Sequence, residues 1–180
     1  MHTRFASVWV IALVSAWGCQ EGGRMPSSQV TKLSSQVTKL YGGPTAINTV
    51  QNSTSVQAYR LPSPSKHVQS LADYTMSAGP VAVPEATVAK LREILMDDAV
   101  YLWDTAKACG EPDYGVRFQF QSGGDNVDVL VCFHCDILGV YHNGQAVDYE
   151  DCDPIRPQLI AIVKGLFPDD PVIQALQVKH

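Results

Sequence analysis

Val127-Asp128-Val129-Leu130-Val131-Cys132-Phe133-His134-Cys135-Asp136-Ile137-Leu138-Gly139-Val140-Tyr141 decides how the chain is read. Outside the N-terminus no other run is as apolar and β-branched, which is the composition of a strand. Just upstream, Gly115 to Gln121 alternates: Val116, Phe118 and Phe120 share one face, Arg117, Gln119 and Gln121 the other. That is the period of a half-buried strand. Ser122-Gly123-Gly124-Asp125 is turn chemistry, so the two runs pair as a hairpin with Val127, Val129, Val131 and Phe133 facing inward. A third strand over Ile137 to Tyr141 ends at the turn His142-Asn143-Gly144.

Helices flank these strands. Pro84-Glu85 suits a helix start, with proline in the first turn and a carboxylate at the positive end of the dipole. Val88, Leu91, Ile94 and Leu95 then recur at helical spacing. Asp153-Pro154 caps a second helix carrying Leu159, Ile160, Val163 and Leu166, which Phe167-Pro168 ends. Asp170-Pro171 opens a short last helix with Ile173 and Leu176. The predicted fold is α+β: an N-terminal helix, a three-stranded antiparallel sheet and two C-terminal helices, preceded by a signal peptide and a disordered stalk.

With 46% apolar and 17% charged residues the 180-residue chain has globular composition. Twelve of its eighteen carboxylates lie between Asp97 and Asp153, against two cations, Lys107 and Arg117. Nucleic acid is therefore excluded as a partner, because phosphates demand a basic footprint. The simplest reading of the acidic excess is a solvated face.

The N-terminus points to export. Met1-His2-Thr3-Arg4 is weakly basic, and Phe5 to Trp17 is uncharged and apolar apart from Ser7 and Ser15. That run is too short for a membrane span and fits the apolar centre of a signal peptide, residues 1–18. Ala16-Trp17-Gly18 has the small-x-small spacing of signal-peptidase cleavage, and Gly18-Cys19 the end of a lipobox. Signal peptide, Gly-Cys and polar tether together resemble bacterial lipoproteins, with Ala16 and Trp17 departing from the usual lipobox. The resemblance implies acylation of Cys19 and a membrane anchor of two or three chains.

Residues 19–66 are rich in Ser, Thr, Gln, Asn, Pro and Gly and read as a flexible low-complexity tether. Inside it Ser27-Ser28-Gln29-Val30-Thr31-Lys32-Leu33 recurs at once as Ser34-Ser35-Gln36-Val37-Thr38-Lys39-Leu40. Two heptads with Ser and Thr at the outer positions are too few for a coiled coil, so the repeat reads as a slipped duplication. Residues 67–180 are the α+β domain.

The candidate site residues are cysteines. In an exported chain the even set Cys109, Cys132, Cys135 and Cys152 reads first as disulfides, of three possible connectivities. Each bridge is worth about 2–4 kcal/mol. The alternative is a periplasmic zinc-binding or thiol–disulfide redox protein using Cys132 and Cys135. Their spacing is that of a zinc knuckle, and Cys109, Cys152, His134 or His142 are the further ligands available. Redox pairs of this spacing sit at helix N-termini, whereas these lie among strand residues, where positions three apart face opposite ways. No nucleophile elbow, phosphate loop, dinucleotide fingerprint or His-Glu-x-x-His is present, and no catalytic residue is assigned.

Lys107-Ala108-Cys109-Gly110, Val116-Arg117-Phe118, Val131-Cys132-Phe133-His134-Cys135-Asp136 and Leu166-Phe167-Pro168-Asp169-Asp170 resemble a group of small bacterial exported proteins of uncharacterised activity. Those share a Cys-Gly near a strand, a Cys-Phe-x-Cys and a closing Phe-Pro. The resemblance transfers no catalytic residue. Together these features lead to the expectation of an exported, lipid-anchored, non-enzymatic binding protein of the cell envelope or surface. Its cysteines would be structural, it would need no cofactor, and its partners would be the membrane and an envelope protein.

Overall fold

Three consecutive tight hairpins build the centre of the fold. A computed structural model describes residues 33–62, 70–105, 107 and 112–178; the signal peptide, Cys19 and Cys109 lie outside them. Strand β3 (Val116–Ser122) pairs with β4 (Asp125–Cys132), β4 with β5 (Ile137–His142), and β5 with β6 (Gln145–Asp151). Two of the turns have two residues, both with positive φ: Gly123-Gly124 and Asn143-Gly144. Such turns match the right-handed twist of the strands they join.

The sheet has six strands, not the three expected from the sequence, in the order β2-β1-β3-β4-β5-β6, with every pair antiparallel. Strand β1 (Ser55–Arg60) lies against β3, and β2 (Ala78–Ala82) lies outside it. Two of the missed strands carry weak signatures. β1 offers only Val56 and Ala58 to the core and sits in a polar tract. β2 contains Gly79 and Pro80, which a sheet tolerates at its edge. β6 is the acidic opposite edge, where charge discourages pairing with another chain.

The stretch read as tether also contributes two helices before β1, so the domain begins well before residue 67. Helix α1 (Ser35–Leu40) is the second copy of the repeated heptad. Ser34 caps it by accepting a hydrogen bond from Val37 N, and Val37 and Leu40 are buried. The first copy lies outside the described residues up to Leu33, which is half-buried against the core. Helix α2 (Pro44–Gln51) starts with proline and buries Ala46, Ile47, Thr49 and Val50. Helix α3 (Glu85–Leu95) buries Val88, Leu91, Ile94 and Leu95. Its Arg92 donates to the carbonyls of Val50 and Ser53, tying it to the end of α2 and the loop beyond. Helices α4 (Arg156–Leu166) and α5 (Pro171–Gln174) follow β6.

One core packs the helices against the face of the sheet carrying Val116, Phe118, Phe120, Val127, Val129, Val131, Leu138 and Val140. The other face carries a smaller cluster, in which Leu61, Leu71, Tyr74 and Tyr114 cover Leu130, Cys132, Ile137 and Tyr141. Tyr114 is wholly buried and lies over Gly139: a Cβ there would collide with the Tyr114 hydroxyl and ring. Only a residue without a side chain lets that ring reach the sheet.

At the end of the domain Asp170 caps α5, accepting from Val172 N and Ile173 N, and pairs with Arg60 of β1 at 2.9 Å. Arg60 also donates to the carbonyls of Leu61 and Gly115. Burial alone would raise the Asp170 pKa. The Ile173 and Val172 amides and the Arg60 guanidinium outweigh it and hold the carboxyl below its ordinary 3.8.

Two expectations follow for stability in urea. Gly139→Ala loses about 1–3 kcal/mol through overpacking against Tyr114. Gly165→Ala, on an open surface of α4, gains up to about 1 kcal/mol from helix propensity. A neutral Gly139→Ala would disprove the close packing. Asp170→Asn, which keeps a capping oxygen without the charge, costs about 1–2 kcal/mol at neutral pH. Because the folded pKa is depressed, that stabilisation is full above the ordinary Asp pKa and is lost as pH falls through the folded value. The gap between wild type and variant therefore narrows in acid; a gap that widens there would contradict the assignment.

Candidate functional site

The Cys-Phe-His-Cys cluster is not one continuous strand. β4 ends at Cys132 and β5 begins at Ile137, which pair directly, so Phe133-His134-Cys135-Asp136 is a four-residue turn. Asp136 takes the left-handed conformation, with φ 56°, that closes it. Aspartate tolerates that region better than most residues.

Three elements hold the turn. Arg156, at the start of α4 and 7% exposed, donates through Nη1 to Phe133 O at 2.6 Å and to the Asp136 carboxylate. Its Nε and Nη2 both reach Gln177 O. Lys107 Nζ donates to Cys135 O at 2.7 Å while pairing with Asp151 at 3.0 Å and Asp153 at 2.6 Å. Partial burial would lower the Lys107 pKa, but these two carboxylates raise it above its ordinary value. Cys152 N donates to Asp136 O at 2.8 Å, with the thiol 3.2 Å from the same oxygen.

The turn brings Cys132 and Cys135 into the same cluster on the helix-free face, which an unbroken strand would not do. Neither sulfur is offered to solvent: the two residues are 0% and 6% exposed. Cys132 and Cys152 are free thiols, and Cys152 packs into the core on the opposite face of the sheet. Cys135 is disulfide-bonded. Burial pushes the Cys152 thiol pKa far up, helped by the carboxylates of Asp136 and Asp151, so it stays protonated and inert.

The two histidines are placed apart. His134 is exposed on the turn. His142 pairs with Val127 at the other end of the hairpin from the Cys132–Ile137 pair. Five residues at about 3.4 Å each put roughly 17 Å between it and the cysteines, too far for a shared metal. Its Nε2 is buried without a hydrogen-bond partner among the described residues. Among the described residues no group of three or more His, Cys, Asp or Glu side chains is placed to hold a metal ion.

Two concavities escaped the sequence reading. One, of about 460 Å³, runs along edge strand β6 between Asp104, Lys107, Asp148, Glu150 and Asp151. There burial, with Asp148 and Asp151 nearby, raises the Glu150 pKa. The other, of about 340 Å³, opens on the helix-free face above Arg117 and Asp128. Arg117 Nε donates to Asp128 Oδ1 at 2.8 Å, and both residues are more than nine-tenths buried. Burial raises the Asp128 pKa, against the opposing pull of Arg117. The available signal was the charge of Asp128 inside an otherwise apolar run; Arg117 stood only as one polar position of an alternating strand.

The fold and site define a small α+β domain with an antiparallel sheet, helices on one face and a partly open opposite face. No protein-family profile matches the chain, and no curated protein or solved structure matches it.

Arg156→Ala removes the guanidinium that pairs with the buried Asp136 carboxylate, and unfolding in denaturant is expected to show a loss of about 3–5 kcal/mol. Asp136→Asn retains the left-handed turn and costs less than Asp136→Ala. Equal costs for the two Asp136 variants would refute the turn's conformational demand.

Proposed function

We propose that the chain is an exported, lipid-anchored, non-enzymatic binding protein of the cell envelope, with cysteines that serve structure. The observation that carries the structural role is the burial of Cys132, Cys135 and Cys152 in two cores on opposite faces of the sheet. A sulfur enclosed in apolar surroundings, away from solvent, is badly placed for thiol exchange or metal capture. Export and anchoring rest on the signal-peptide pattern of residues 1–18 and the Gly18-Cys19 junction.

The disulfide of Cys135 is assigned to Cys109. Lys107 Nζ is bonded to the carbonyl of Cys135 itself, so the chain two residues before Cys109 is already fixed at that turn. Export into an oxidising compartment then favours the bridge. It would tie the segment before β3 to the β4–β5 turn, for about 2–4 kcal/mol.

Radiolabelled palmitate is expected in the wild-type protein and not in Cys19→Ser; an unlabelled wild type leaves a secreted protein without a lipid anchor. Intact mass after alkylation under native conditions should show no modified cysteine in the domain. Denaturation should then expose two thiols, Cys132 and Cys152, and reduction two more. Native alkylation of Cys132, or zinc released on denaturation, would replace the structural reading with the metal or thiol-redox one.

A further inference from the structure

The cavity on the helix-free face holds an arginine whose bonding is incomplete for a merely structural role. Arg117 projects from the middle of β3 and is 7% exposed. Its Nε is taken by Asp128, and the Tyr59 ring lies 4.7 Å from the guanidinium carbon, fixing the plane of the group. The edge bearing the two Nη nitrogens is left over. Among the described residues Nη1 meets only the Met76 sulfur, at 3.8 Å, and a thioether is a weak acceptor. Nη2 has no acceptor among the described residues. Neutralising Asp128 requires Nε alone, so the other edge of the fork has no structural use.

The lining around it is complementary in kind. Asn126 presents a side-chain amide at the rim, and Leu71, Tyr74 and Met76 form an apolar wall. Met76 is 46% exposed and flexible, so a ligand oxygen can displace its sulfur from Nη1. Asp128, held 1% exposed behind the guanidinium, weakens the site for a doubly charged phosphate and leaves a planar, singly charged group as the better match. Two parallel N–H donors recognise a carboxylate by its shape as well as its charge.

We propose that this cavity binds the carboxylate of a small acyl amino acid, end-on to the two Nη nitrogens of Arg117. The ligand's amide meets Asn126 and its short apolar group meets Leu71, Tyr74 and Met76. Asp128 is a positioning residue that aims the guanidinium. This deepens the reading of a binding module and is independent of export and anchoring.

The test is an NMR titration of the isotopically labelled full chain with N-acetyl-L-alanine, using N-acetyl-L-alaninamide as the uncharged control. Saturable shifts are expected at the Arg117 side-chain Nε–H and at the backbone amides of Met76, Arg117 and Asp128, with the amide binding about tenfold or more weaker. Arg117→Lys, which keeps the charge and loses the fork, should weaken binding by about tenfold or more. Asn126→Asp, which leaves the ion pair intact and places a negative charge at the rim, should do the same with the fold unaltered. Equal response to acid and amide, undiminished binding in Asn126→Asp, or no saturable shift at about 10 mM ligand would overturn the proposal. Palmitate labelling with a silent titration would leave the anchor standing and remove this site; the reverse result would do the opposite.

Discussion

Burial of the β4–β5 hairpin on both faces is the constraint on which the rest of the structure depends. Helices cover Val127, Val129, Val131, Leu138 and Val140, while Leu61, Tyr74 and Tyr114 close over Leu130, Cys132 and Tyr141. A strand buried twice must be apolar at successive positions, and any charge within it must find a partner in a neighbouring element. Asp128 and Asp136 are those charges, and each receives an arginine, Arg117 from β3 and Arg156 from α4. Buried pairs of this kind add little net stability, because desolvating the ions offsets their attraction. Their effect here is on register: each pair is satisfied in one arrangement of strand against strand, or of turn against helix.

The same two-sidedness explains the cysteines. A tight turn after Cys132 sends Cys135 back into the cluster on the helix-free face, whereas Cys152, after β6, falls in the core below the sheet. The sheet itself separates these sulfurs. Reactivity requires a sulfur within reach of solvent, and the packing encloses Cys132, Cys135 and Cys152. Polar chemistry is instead concentrated where the second face is only partly covered, beside Arg117 and along the acidic edge of β6.

The features legible in the sequence are those governed by local pattern. The alternation of Val116, Phe118 and Phe120, the turn at Gly123-Gly124, the stripe of Val88, Leu91, Ile94 and Leu95, and the Asp170 cap all act over a few residues. What escaped was set by neighbours far along the chain. β1 has a weak pattern of its own and is held between β2 and β3. α1 has six residues, far too few to be helical alone, and forms because Val37 and Leu40 are buried against the domain. A polar tract scores as tether on composition, yet two or three apolar residues at the right spacing suffice when a core is already there to receive them. For β6 a local signal did exist, since Asn143-Gly144 between strand residues is itself a hairpin signature.

The sequence by itself determined the mixed α+β class, the central hairpin and the periodicity of its flanking helices, because these follow from hydrophobic spacing and turn stereochemistry. It also assembled the cysteines and histidines as candidates, but spacing along a strand says nothing about which face or which end a side chain reaches once the strand turns. Only the tertiary structure decided that the sheet has six strands, that Cys132 and Cys152 lie on opposite sides of it, and that His142 stands at the far end of the hairpin. The same holds for Arg117, which was legible only as one polar position in an alternating strand. Its anchoring by Asp128 and Tyr59, and the open edge that this leaves, arise from contacts across strands, and no local pattern encodes them.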